Sequence, residues 1–122
     1  MPLVKKRIFL AAGATSDQVL SGTTYEYVDP NTVIRVAAAV DTAGTSATAD
    51  TTMDFTVNNA EFSRNVSVSK LVDGEPFSAA EGSNYVMNNM ITTGAIRNRP
   101  IITFTNSTAA TRTVDVAVFI GN

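Results

Sequence analysis

The chain has 122 residues, of which 44% are hydrophobic and 16% are charged, with a formal net charge of −2 at pH 7. This size and composition predict one globular domain spanning residues 1–122, because such a chain can bury a single core and is too apolar to remain disordered. The absence of cysteine and histidine excludes disulfides and thiolate nucleophiles, and it removes the commonest general base and transition-metal ligand.

The first predicted element is a strand at the N-terminus, where residues 3–10 alternate between two partly apolar faces. One face has Val4, Lys6, Ile8 and Leu10, and the other has Leu3, Lys5, Arg7 and Phe9. Lysines on a strand are typical of a sheet edge, where charge discourages unwanted pairing. An arm laid on a partner subunit would show the same pattern. We therefore predict an N-terminal strand or arm over about residues 1–12.

The middle of the chain predicts further strands separated by turn-forming residues. Alternating β-branched and aromatic residues indicate strands at residues 23–28, 33–40, 51–57 and 65–71. Residues 41–50 are small and polar, which predicts a solvent-facing loop tip. Residues 77–95 have a weaker pattern, which predicts a loop with one short helix or strand.

The clearest pattern lies near the C-terminal end of the sequence. Two β-branched runs, residues 101–105 and 111–120, flank a polar cluster and predict a hairpin. Alternation predicts a buried face formed by Ile102, Phe104, Val114, Val116 and Val118. Together these elements predict an all-β fold, a single jelly-roll-like β-sandwich of about eight antiparallel strands.

No motif in the sequence indicates a reaction or a cofactor. The serines have no histidine partner, and the segment Asp73-Gly74-Glu75 lacks the spacing of a calcium loop. A sequence pI near 4.9 argues against nucleic-acid binding, and no apolar run approaches the ~20 residues that span a bilayer. We therefore predict no catalytic, cofactor or metal site, no direct nucleic-acid or membrane partner, and no enzymatic activity.

The sequence also predicts surfaces that contact other protein subunits. Arg97 and Arg99 flank Asn98 before Pro100, where they either pair with carboxylates or carbonyls at a subunit boundary or form an ordinary surface pair. Seven acidic residues lie between Asp17 and Glu61 and are opposed by Arg35 alone, which favours docking between oppositely charged surfaces. The predicted interface residues are Leu3, Val4, Lys5, Lys6, Arg7, Ile8, Phe9, Arg97 and Arg99.

Four stretches of the sequence carry a family resemblance: KRIF at residues 6–9, AAGAT at 11–15, VLSGTTYEY at 19–27 and ITFTNSTAATRTV at 102–114. In these stretches and their order, the chain resembles the small jelly-roll proteins that decorate or cement bacteriophage capsids. The resemblance implies a homotrimer, or another small ring, that is made in the host cytoplasm and sits on the outer capsid surface of the virion. There it would bridge neighbouring copies of the major capsid protein. The alternatives are a small capsid protein of a tailless virus and a carbohydrate- or receptor-binding β-sandwich module.

Overall fold

The computed structural model describes residues 3–41, 51–58, 60–71, 77, 85–87, 91–94, 97–107 and 111–121, and these ranges contain β-strands and no helix. The strands are β1 (Leu3–Leu10), β2 (Val33–Asp41), β3 (Thr51–Val57), β4 (Ala60–Ser67), β5 (Ser69–Lys70), β6 (Ile91–Thr92), β7 (Pro100–Asn106) and β8 (Arg112–Gly121). Six of them are long, while β5 and β6 have only two residues each. The predicted all-β class is confirmed.

The strands form two sheets, which we call sheet A and sheet B. Sheet A has the order β1-β8-β2-β5, with β6 also paired to β2, and sheet B has the order β4-β3-β7. All pairs between long strands are antiparallel, whereas β5 runs parallel to β2. The long strands therefore make two three-stranded antiparallel sheets.

The core lies between the two sheets because each long inner strand has one apolar face. In β3 and β7 every second residue is buried, as the two-residue period of a strand requires. Ile34 and Val118 from sheet A belong to the same buried cluster as Phe55 and Phe104 from sheet B. The two sheets thus pack face to face in a sandwich-like arrangement.

A second, smaller cluster covers part of the outer face of sheet A. Ala37 and Ala39 point away from the main core, and Tyr85 packs on them with only 4% of its surface exposed. The ring of Phe77 lies 5.7 Å from that of Tyr85, between centroids. The small alanine side chains leave space for these rings, so this part of the outer face of sheet A is shielded from solvent.

The predicted C-terminal hairpin is wrong. β7 and β8 are consecutive in the sequence, but β7 pairs with β3 in sheet B, while β8 lies between β1 and β2 in sheet A. Alternation reports which face of a strand is buried and contains no information on its neighbour, so both strands satisfied the pattern without pairing. The predicted buried residues are all buried: Ile102, Phe104, Val114, Val116 and Val118.

Two other strand predictions need correction. Residues 23–28 form turns and bends with a single bridge at Val28, because local contacts replace a ladder there: the Thr23 hydroxyl donates to the Leu20 carbonyl at 2.7 Å. The strand predicted at 65–71 is divided: its first three residues end β4, which begins at Ala60, and Ser69–Lys70 form β5, which pairs with β2 in sheet A. Asn65, with φ of 51°, marks an irregularity within β4.

Several predictions fall on residues outside the described ranges. The loop tip beyond residue 41 and the segment Asp73-Gly74-Glu75 are among them. Between residues 77 and 95 the structure describes residues 77, 85–87 and 91–94, which include the short strand β6.

Candidate interaction surfaces

β1 is the outer strand of sheet A among the described residues, since β8 is its one strand partner there. Its outward residues Leu3, Lys5, Arg7 and Phe9 are exposed, and the residues between them are half-buried or buried. Phe9 is 73% exposed and Leu3 is 43% exposed. The predicted edge strand is therefore present, and it exposes two large apolar side chains.

The charged residues of β1 differ in direction. Arg7 faces outward and its Nε lies 2.8 Å from Oδ1 of Asp115, directly across the ladder. Lys6 is half-buried, lies opposite Val116, and its Nζ is 3.5 Å from the Ser21 carbonyl oxygen, the limit of a hydrogen bond. An inward-pointing lysine disfavours pairing of a further strand at this edge, because the added strand would bury the charge. Contacts through β1 are thus favoured on its outer face.

A groove of about 450 Å³ runs beside β1. Its other wall is the segment of residues 14–19, which runs alongside β7. The backbone amides of Ser16 and Val19 donate to the Phe104 and Ile102 carbonyls at 2.7 and 2.9 Å. Phe9 and the exposed Asp17 are among the groove residues. The groove is therefore the opening between the edges of the two sheets.

The second predicted pair, Arg97 and Arg99, surrounds a tyrosine. The Cζ atom of Arg97 lies 3.9 Å from the centroid of the Tyr27 ring, and that of Arg99 lies 5.9 Å from it. Tyr27 is 43% exposed and both arginines are exposed. A guanidinium at this distance from an aromatic face is held by cation–π attraction. We call this group the Tyr27–Arg97–Arg99 cluster.

Hydrogen bonds around the buried Asn98 fix the backbone beneath the cluster. Asn98 is 1% exposed, and its amide and carbonyl pair with those of Val28 at 3.0 and 2.8 Å. The Asn58 side chain donates to Oδ1 of Asn98 at 3.0 Å, and its own Oδ1 accepts from the Arg99 amide at 2.9 Å. Because Asn98 points inward, Arg97 and Arg99 on either side of it project from the same surface.

The cluster has no internal neutralising partner within the described ranges. No carboxylate there lies within ion-pair distance of either Arg97 or Arg99. The sequence indicated both arginines, but it did not indicate Tyr27 as their neighbour. The alternation Arg97-Asn98-Arg99 could have indicated that two exposed arginines flank a buried asparagine side chain.

The Phe9 end of β1 lies far from the Tyr27–Arg97–Arg99 cluster. Leu3 pairs with Phe119, whereas Phe9 pairs with Thr113. Gly121, just beyond Phe119, lines a cavity with Tyr27, so the cluster is near the Leu3 end. Six residues of extended strand separate Phe9 from Leu3, about 20 Å. The structure thus does not bring Phe9 and Arg97 together.

The architecture places the chain in the all-β class, with two facing sheets. Within the described ranges no group of three or more acidic, histidine or cysteine side chains is arranged to hold a metal ion. The same ranges include no helix with the length and hydrophobicity needed to cross a bilayer. Comparison with protein-family models, curated proteins and solved structures finds no match to this chain.

Proposed function

We propose that the protein is a non-enzymatic virion structural protein that decorates a phage capsid and cements it by bridging neighbouring major capsid proteins. The observation that supports this proposal is the pair of separate exposed surfaces, the outer face of β1 with Phe9 and the Tyr27–Arg97–Arg99 cluster. A cementing ring needs one surface that contacts the shell and a separate surface that contacts its own copies. Aromatic residues and arginine are also the residue types enriched at the centres of protein interfaces.

The mechanism of this proposal is contact area repeated by symmetry. A standard interface buries ~1,600 Å² and is sufficient for stable association. A homotrimer, or another small ring, presents each surface several times and gains avidity when it binds a shell of identical subunits. The proposal includes a jelly-roll arrangement of about eight strands and a position on the outer capsid surface, after synthesis in the host cytoplasm. A small capsid protein of a tailless virus would use the same two surfaces to contact its own copies.

A carbohydrate- or receptor-binding module is the second candidate, and one cavity favours it. This cavity of about 240 Å³ is lined by Tyr25, Tyr27, Asp29 and two threonines, among other residues. Sugar rings stack on exposed aromatic faces. Arg97 already covers one face of Tyr27, which leaves less of the ring for a sugar and places this candidate second.

The test compares the protein's stoichiometry in purified particles with that of the major capsid protein, and then measures rebinding to particles from which it has been removed. Deleting residues 1–10 would remove a whole strand of sheet A, so point variants are the better probes. Phe9→Ser should weaken rebinding at least tenfold, while Ser67→Ala, at an exposed position on β4, should leave it unchanged. Particles that contain no copies of this chain, or rebinding that Phe9→Ser does not alter, would contradict the proposal.

A further inference from the structure

The Tyr27–Arg97–Arg99 cluster places two positive charges near one aromatic ring, 3.9 and 5.9 Å from its centroid. Like charges at such separations repel each other, and no carboxylate of the described residues lies within ion-pair distance of them. The buried Asn98 fixes the backbone beneath, so both arginines leave it on the same side. Such an arrangement is stabilised when an anion binds between the groups.

The chemistry favours carboxylate over the phosphates of a nucleic acid. Guanidinium groups bind carboxylates through two parallel hydrogen bonds. Nucleic-acid binding usually depends on a broad basic surface, whereas this chain has a net charge of −2. The exposed Tyr27 adds a rigid aromatic contact of the type found at protein interfaces.

The chain itself supplies carboxylates of the required kind. Asp17, Asp29 and Glu61 are exposed, and no side chain of the described residues forms an ion pair with them. Asp29 lines the same cavity as Tyr27 and lies on the cluster's own surface. Asp17 lies beside the β1 groove, and Glu61 lies on β4, the outer strand of sheet B among the described residues. Asp17 therefore lies on a different surface from the cluster, whereas Glu61 lies at the same end of sheet B as Arg99, because Ala60 and Pro100 both pair with Val57.

We propose that the Tyr27–Arg97–Arg99 cluster is a carboxylate-binding site that docks onto Asp17 of a second copy of this chain. The two surfaces of such a contact differ, so it is heterologous, and repetition either closes a ring or extends a filament. The inference rests on the homo-oligomer in the proposed function and names the contact that would build it. Charge complementarity between the arginine pair and the acid-rich part of the chain is the physical basis.

The first experiment measures self-association by sedimentation equilibrium over a range of protein and salt concentrations. Arg97→Glu should raise the dissociation constant at least tenfold, and added salt should weaken the wild-type contact. Arg97→Lys combined with Arg99→Lys keeps the charge and loses the planar fork, so it should weaken association by a smaller factor. Arg64→Glu, an exposed position on β4, makes the same charge change as Arg97→Glu and should not weaken association.

The second experiment reverses the charges of both partners within one chain. The double variant Arg97→Glu/Arg99→Glu should be monomeric, and adding Asp17→Lys should restore association. Circular dichroism must show an intact fold in each variant, which is expected because all three positions are exposed. A monomeric wild type, association that survives Arg97→Glu/Arg99→Glu, or no rescue by Asp17→Lys would overturn the inference.

Two further measurements separate this inference from others. A 20-nucleotide single-stranded oligonucleotide that binds the wild type but not Arg97→Glu/Arg99→Glu would overturn it in favour of phosphate recognition. A wild type that stays monomeric yet binds capsids would overturn the docking contact and leave the cement role intact. Self-association through the arginines without capsid binding would contradict the cement role and support this inference.

Discussion

The Asn58 side-chain amide donates a hydrogen bond of 3.0 Å to the side-chain oxygen of Asn98, joining the end of β3 to the segment before β7. Asn98 is buried, and its own amide also donates to the Val28 carbonyl at 3.2 Å. Three chain segments that are distant in sequence therefore meet at one side chain. This contact fixes the surface on which Arg97 and Arg99 lie.

Asn98→Ala should lower the free energy of unfolding by about 2 kcal/mol, because the buried Asn98 side chain loses its hydrogen bonds to Asn58 and to the Val28 carbonyl, which keeps its backbone partner. Urea unfolding followed by circular dichroism measures this change. Ser67→Ala, at an exposed position on β4, is the matched control and should change the free energy by less than about 0.5 kcal/mol. Equal values for the two variants would contradict the role assigned to Asn98.

Val118→Asp and Val116→Asp should differ, although both valines are buried. Val118 lies between Val4 and Val36 in the ladder, so an aspartate there has no cation and should cost more than about 4 kcal/mol. Lys6 lies directly opposite Val116, so Val116→Asp can form an ion pair and should be less destabilised. Urea midpoints give the comparison, and adding Lys6→Met to Val116→Asp should remove the advantage. Equal midpoints for all three variants would contradict the inward direction of Lys6.

Arg7→Ala should change stability little, although its ion pair with Asp115 is short. The Arg7 side chain is 65% exposed and that of Asp115 is 19% exposed, so solvent and salt screen the attraction. The expected loss is about 0.5 kcal/mol in dilute buffer. It should be smaller in roughly 0.5 M salt, because the dissolved ions screen the attraction. A loss above about 2 kcal/mol would indicate that the pair acts as a buried one.

Lys6→Val should increase aggregation without a large loss of stability. The substitution removes the inward charge that disfavours pairing at the outer edge of β1, while the neighbouring core residues Val4 and Ile8 remain. Light scattering during prolonged incubation at high protein concentration measures the effect. Lys5→Val, on the outward face of the same strand, is the control for added hydrophobicity. Greater scattering from Lys5→Val than from Lys6→Val would contradict the assigned role.

Alternation along the chain predicted the faces of the strands well, because a two-residue period is a local property. The sequence indicated β3 at its observed bounds, and it assigned Val114, Val116 and Val118 to the core. Strand partners are not local. β7 and β8 read as a hairpin because a turn-forming segment joins them, yet each pairs with strands that are remote in sequence.

The candidate site shows the same division between local and distant information. Arg97 and Arg99 were expected at an interface from their type and spacing. Tyr27 reaches them through the bridge between Val28 and Asn98, which are 70 residues apart. A single sequence has no signal for that bridge, because the intervening strands determine it. The strand prediction at residues 23–28 was wrong for a related reason, since the hydroxyl and carboxylate hydrogen bonds that form the turns there leave no periodic pattern in the sequence.

The central position of β8 in sheet A has a consequence for how the chain folds. β8 separates β1 from β2, and it is synthesised after both. Until residues 112–121 emerge from the ribosome, β1 and β2 lack the strand that lies between them in sheet A. Pairings between such distant segments also close slowly, typically in milliseconds to seconds. The nascent chain is therefore at greatest risk of misassembly just before β8 becomes available.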